Sequence, residues 1–191
     1  MKSGVRALGV AESYREERST LAGAVVRASR VVDGFAFGSC TVGGTDVTDA
    51  VIDLFEELDR EDVRYLLASG VALAWYNVVD LRRVHETIDR PVLSVTYEES
   101  DGLEEGIRKE FDRERRDERL ELYRAQPERH PLTVNGERVF VRAVGIDDSE
   151  ARDVVRAFTP GGGRPEPLRV ARLAARAADR FVGDRAQSLG E

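Results

Sequence analysis

The sequence predicts one α/β domain on a mixed sheet flanked by helices, in the order β-β-β-α-β-α-β, with an added β-hairpin and two C-terminal helices. Three observations carry this. Apolar strand-like runs fill the first quarter of the chain, with no helical period among them. Segments of helical and strand period then alternate. The 191 residues, 41% hydrophobic, suffice for one buried core but fit poorly as two.

The elements follow in order. Val5 to Val10 is a compact apolar run, and Thr20 to Ala28 is a second. Val31 to Val42 is a third, in which Phe35, Phe37 and Ser39 alternate with Ala36, Gly38 and Cys40, the two-residue period of a strand. Ser29-Arg30 reads as the turn between the second and third, and Gly43-Gly44 ends the third. A helix then starts at Thr45 or Asp46, either of which can accept bonds from free N–H groups of the first turn. Val47, Ala50, Val51, Leu54, Phe55 and Leu58 form its apolar stripe. Arg64 to Ala74 reads as a buried strand carrying Ser69-Gly70, Asn77 to Ile88 as a short helix, and Val92 to Tyr97 as a strand begun by Pro91.

Asp101 to Arg124 is helical in two pieces, striped by Leu103, Ile107 and Phe111 and then by Leu120 and Tyr123. The mixed-sign run between the stripes reads as a solvated face laced with Arg–Glu pairs. Leu132 to Val144 is a hairpin around Asn135-Gly136, because Asn-Gly accepts the positive φ that such a turn needs at both central positions. A helix from Asp148 carries Ala151, Val154, Val155 and Phe158. After the break at Pro160 to Gly163, a last helix from Pro165 to Pro167 presents Leu168, Ala171, Ala175, Ala178 and Val182 for close packing on the sheet. The domain is expected over 1–182, with a flexible tail over 183–191.

Composition bounds the function. No stretch of 18 apolar residues runs without a charge, so no membrane partner is expected. The N-terminus lacks the apolar core of a signal peptide, and a cytoplasmic protein is expected. The single cysteine, Cys40, excludes an internal disulfide framework and a cysteine-based zinc site. Acidic residues outnumber basic ones 36 to 29, and Lys2 and Lys109 are the only lysines. Few lysines among many acids resembles a halophilic archaeal proteome, although a high-GC genome also favours arginine codons. In molar salt the Debye length falls to about 3 Å, so net acidity does little to repel a nucleic acid there.

The order of elements is that of a ribonuclease H-like fold. Arg6 to Val10 (RALGV), Ser69 to Leu81 (SGVALAWYNVVDL) and Arg164 to Ala171 (RPEPLRVA) together resemble the archaeal family catalogued as a domain of unknown function, number ninety-nine. The resemblance covers nearly the whole chain. That family is similar in fold to endonuclease V, a magnesium-dependent enzyme that nicks nucleic acid beside deaminated purines. The resemblance therefore implies an endonuclease V-like domain with clustered carboxylates around Mg²⁺. It calls for an Asp after Gly-Val on the first strand, an Asp-Gly pair later, a Glu from the third-strand region and a His on a late helix.

This sequence departs at those points. Ala11 follows Gly9-Val10, and Glu12 after it points to the opposite face of a strand. Ser69-Gly70 stands for Asp-Gly, and Arg172 follows PEPLRVA where the family has His. Arginine neither ligates a metal nor acts as a base at neutral pH. Glu12, Asp33, Asp80 and Glu166 are the acids that could form a substitute site. Each also has a structural reading: a turn for Asp33, a helix start for Asp80, and a complement to a helix dipole for Glu166. His85 and His130 lie far apart without metal spacing, Cys40 reads as a small buried hydrophobe, and Gly161 to Gly163 lacks the Lys-Ser or Lys-Thr of a phosphate loop.

The sequence thus predicts a domain that binds nucleic acid or a nucleotide through a degenerate metal site, without efficient cleavage and with no resident cofactor. Ser69, Gly70, Trp75, Asn77 and Asp80 would line the groove, with Trp75 placed to stack on a base and Arg164, Arg169 and Arg172 to contact phosphate. One alternative is an endonuclease using Mg²⁺ or Mn²⁺ on relocated acids and acting on deaminated or structured nucleic acid. Another is a non-catalytic scaffold for protein partners. Oligomeric state is left open.

Overall fold

The computed structural model describes the backbone of residues 1–189 and the side chains of residues 1–183. Three antiparallel strands come first: β1 (Arg6–Arg15), β2 (Arg18–Arg27) and β3 (Val32–Thr41). The expected β-α-β alternation follows as α1 (Val47–Glu57), β4 (Val63–Ala68), α2 (Leu81–Ile88) and β7 (Val92–Thr96), with a small ribbon of β5 (Ala72–Leu73) and β6 (Asn77–Val78) inserted before α2. The chain continues through α3 (Glu104–Glu110), α4 (Arg113–Ala125), the hairpin β8 (His130–Val134) and β9 (Glu137–Val144), α5 (Asp148–Phe158) and α6 (Glu166–Leu189). The main sheet has seven strands in the order β3-β2-β1-β4-β7-β9-β8. Strands β1, β4 and β7 run parallel, so their C-terminal ends meet at one edge of the molecule.

The strand period sorts side chains between two cores. Leu8, Val10, Leu66 and Ala68 face α1 and α2. Ala7, Leu67, Leu93 and Val95 face the opposite side with α5 and the start of α6. Packing there leaves no slack. A Cβ on Gly23 would lie 2.4 Å from a Leu54 methyl, and one on Gly9 would lie 2.2 Å from the Pro167 carbonyl carbon. Glycine at position 9 is thus what lets the first turn of α6 press directly on β1.

Four elements differ from the sequence expectation. The strand expected over 64–74 stops at Ala68, and the helix expected from Asn77 begins only at Leu81. Between them Ala74, Trp75 and Tyr76 take positive φ in succession (45°, 58° and 61°), at a cost of about 1–2 kcal/mol per residue. Asp46 occupies the N-cap of α1 without capping it. Its carboxylate accepts instead from the Thr41 N–H, the Thr41 hydroxyl and the Asn77 amide. Finally, α6 runs to Leu189, past the expected domain end at 182. The last two positions of the expected tail, 190 and 191, lie outside the described residues. No helix among the described residues is long and apolar enough to cross a membrane.

Candidate functional site

A cavity of about 380 Å³ opens where β4 and β7 end, the edge at which parallel α/β sheets place their ligands. Ser69 and Gly70 follow β4, Thr96 ends β7 and Tyr97 follows it, and all four line the cavity. The tight contact of α6 with Gly9 fixes Arg164 and Arg172 on one wall. The other wall comes from Tyr123 of α4, Phe140 and Arg142 of β9, and Arg129 from the loop before β8. Phe140 and Arg142 are two residues apart on one strand and therefore share a face.

The cavity is cationic. Arg129, Arg142, Arg164 and Arg172 all line it, against one lining carboxylate, the exposed Glu98. Among the described residues, none of the four guanidinium groups has a carboxylate within 4.0 Å. Three lie over aromatic rings instead: Arg129 over Phe140 at 4.2 Å, Arg164 over Tyr97 at 4.5 Å and Arg142 over Tyr123 at 5.2 Å. A ring holds a guanidinium in place without consuming the N–H donors at its edge.

Some of those donors are already used. Arg129 donates to the Ser100 carbonyl at 3.0 Å, and Arg142 to the Pro127 carbonyl and the Tyr123 hydroxyl. Burial pulls the Arg142 pKa down, partly opposed by the neighbouring Tyr123. Burial also pushes the Tyr97 hydroxyl up to about 12 against the opposing charges of Arg164 and Arg172. Among the described residues, Thr96 Oγ1 and the Tyr97 hydroxyl are buried with no hydrogen-bond partner, and the Arg164 charge acts on the Tyr97 hydroxyl.

Of the residues picked out in the sequence, Ser69, Gly70, Arg164 and Arg172 are brought together here. Trp75 is not a wall of the cavity. It is 43% exposed on a neighbouring rim, where it packs over Gly43 and touches Tyr76 and Phe111 at ring distances of 5.8 and 5.4 Å. Asn77 is fully buried and holds the chain together. Its Nδ2 donates to the Thr41 carbonyl and to Asp46, and its Oδ1 accepts the free Val47 N–H at the start of α1. Asp80 caps α2 by accepting from the Arg82 and Arg83 N–H groups. Arg169 points outward and is held by both carboxylate oxygens of Glu166, at 2.7 and 2.6 Å. Sequence reasoning missed Arg129, Arg142, Tyr97, Tyr123 and Phe140, of which only the Phe140–Arg142 alternation was visible as a shared face.

The donor set at this edge does not fit the divalent metal that the resemblance implies. Ala11 is buried against Ala24 and Ala171, where the first carboxylate would stand. Ser69 and Arg172 occupy the next two positions, and neither offers a negative charge. Among the described residues, no three His, Cys, Asp or Glu side chains are grouped as metal donors. Glu12 lies on the other sheet face near the Ser19 hydroxyl and Cys40, its pKa raised by burial and opposed by Arg172. Asp33 sits at the far end of β1, bonded to Arg6 and Arg27. Burial pushes the Cys40 thiol up to about 12, which leaves it protonated and unreactive at neutral pH. His85 Nδ1 lies 2.8 Å from the Arg90 carbonyl, and His130 lies 3.8 Å from Asp148.

Comparison with known proteins identifies the family. Residues 3–179 match the family described as endonuclease dU, and the chain belongs to it. It is 33% identical to the UPF0215 protein TK2033 of Thermococcus kodakarensis over 93% of both chains. It is 35% identical to the UPF0215 protein PAE0952 of Pyrobaculum aerophilum over 92% of this chain and 95% of that one. Among solved structures, a protein of unknown function from Archaeoglobus fulgidus superposes with a TM-score of 0.80 at 27% identity, over 91% of this chain and 97% of that one. Endonuclease V of Bacillus subtilis superposes at 0.65 and 14% identity, covering 95% and 83%. Endonuclease V of Ciona intestinalis, solved with a 24mer DNA containing an inosine, superposes at 0.62 and 12% identity, covering 93% and 87%. The fold is therefore that of endonuclease V, a ribonuclease H-like mixed sheet.

Proposed function

We propose that this member of the endonuclease dU family binds nucleic acid or a nucleotide in its arginine-lined cavity and does not cleave it efficiently. One observation carries the reading. Ala11, Ser69 and Arg172 stand where the resemblance calls for metal ligands, and the same edge gathers four guanidinium groups that, among the described residues, have no carboxylate within 4.0 Å. A nuclease of this type needs negative side chains there, so that the metal supplies the positive charge and the activated water. Here the side chains supply the positive charge themselves. Phosphate oxygens would accept from the in-plane N–H groups of Arg164 and Arg172. Tyr97 and Phe140, behind Arg164 and Arg129, limit access of water to those guanidinium faces.

The protein would work in the cytoplasm of a high-salt cell, where screening removes the penalty of its acidic surface. The family description points to strands bearing deoxyuridine as the first to try, and the inosine-containing DNA of the Ciona structure to inosine as the second. The test incubates the purified protein with labelled DNA and RNA strands carrying either base or neither, in 0.15 M and in molar KCl. Parallel tubes hold Mg²⁺, Mn²⁺ or EDTA, and each is read for binding and for cleavage. Micromolar or tighter binding that survives EDTA and leaves strands intact is the expected result. Metal-dependent nicking abolished by Glu12→Gln would replace this reading with a nuclease on relocated acids. No binding to any strand, together with a stable protein partner, would leave an interaction scaffold.

A further inference from the structure

Resting on that reading, we infer that the cavity is a site for a phosphate monoester carried by a nucleoside, either a free mononucleotide or the phosphorylated end of a strand. Charge is the first reason. Four guanidinium groups face one exposed carboxylate across the cavity. An internal phosphodiester brings a single negative charge to that surplus. A phosphate monoester brings about −1.5 to −2 at neutral pH and three acceptor oxygens.

Donor geometry is the second reason. Three of the four guanidinium groups are held over rings, and among the described residues none of the four has a carboxylate within 4.0 Å that an anion would have to displace. The fork of in-plane donors on arginine matches the oxygen spacing of a phosphate. Size is the third. A cavity of about 380 Å³ lies near the lower end of small-molecule sites, about 300–1,000 Å³, which suits one nucleotide rather than a duplex. Ser69 and Gly70, which also line the cavity, would then lie beside the nucleoside.

The experiment is fluorescence anisotropy in EDTA on an internally labelled strand made in three forms: 5′-phosphorylated, 3′-phosphorylated and hydroxyl-ended. Competition with a nucleoside monophosphate and with the bare nucleoside completes it. At least one phosphorylated form, or the free monophosphate, is expected to bind tenfold or more tighter than its unphosphorylated counterpart. A strand end that the monophosphate fails to displace would identify the strand as the source, and binding of the monophosphate alone would identify the free nucleotide. The preference should vanish in the double variant Arg164→Gln, Arg172→Gln, with its fold checked by circular dichroism, and persist in Arg169→Gln. Equal binding of all three strand forms with no competition by the monophosphate would overturn the inference while leaving the broader reading intact. No binding of any strand or nucleotide would overturn both.

Discussion

Two groups of arginines stand at opposite ends of β1 and are treated in opposite ways. At the N-terminal end, Asp33 accepts from Arg6 at 2.6 Å and from Arg27 at 2.5 Å, while Asp62 takes Arg60 at 2.8 Å. At the other edge, where β4 and β7 end, Arg129, Arg142, Arg164 and Arg172 surround a cavity with rings and carbonyls as their neighbours. In the first group the chain neutralises its own cations, and an incoming anion would have to displace a carboxylate. In the second, among the described residues, no carboxylate lies within 4.0 Å of a guanidinium to be displaced. A chain with 36 acidic residues has carboxylates to spare, yet Glu98 alone lines this cavity, and the proposal of an external anion rests on that difference.

The largest effect expected is on ligand affinity. Hydrogen bonds to charged groups contribute about 1.5–3 kcal/mol, so Arg164→Gln and Arg172→Gln should each weaken oligonucleotide binding by about tenfold or more. The same strand titrated into both variants would show it, and unchanged affinity would erase the distinction between the two clusters. Next comes Asn77→Ala, which removes three hydrogen bonds at a fully buried position and should cost about 2–4 kcal/mol in urea unfolding. Binding by the folded variant should be retained, because Asn77 fixes the start of α1 and does not reach the cavity.

A smaller effect is expected at Asp33, whose hydrogen bonds from Arg27 and then Arg6 hold its carboxyl at about 2, below its ordinary 3.8. Its contribution to stability is complete above pH 3.8 and is lost as the pH falls towards about 2. Asp33→Asn should flatten that part of the thermal midpoint against pH while leaving oligonucleotide affinity unchanged. Arg169→Gln should have the smallest effect of all, with affinity moving less than twofold, since its guanidinium is bound to Glu166 outside the cavity.

Much of the fold was legible because it rests on local rules. Periodicity announced the meander, α1, α5 and the hairpin, and Asn135-Gly136 indeed takes φ of 50° and 82°. The ribbon of β5 and β6 was not legible, because Ala74, Trp75 and Tyr76 carry no glycine or asparagine to mark their left-handed backbone. The cap of α1 was misassigned for another reason. Asp46 is the right residue type in the right place, but Asn77, thirty-one positions later, accepts the Val47 N–H. At the cavity, Ser69, Gly70, Arg164 and Arg172 could be placed by resemblance. Arg129, Arg142 and Tyr123 come from separate elements, and which arginines lack an acid partner is a property of three-dimensional packing that an arginine-rich sequence does not display.

Under the proposed function, Ala11, Ser69 and Arg172 stand where the resemblance places metal ligands. Calorimetric titration of Mn²⁺ into the wild-type protein and into the triple variant Ala11→Asp, Ser69→Asp, Arg172→His tests it most directly. No saturable Mn²⁺ site is expected in the wild type, and a new one is expected in the triple variant. A stoichiometric micromolar Mn²⁺ site in the wild-type protein would contradict it.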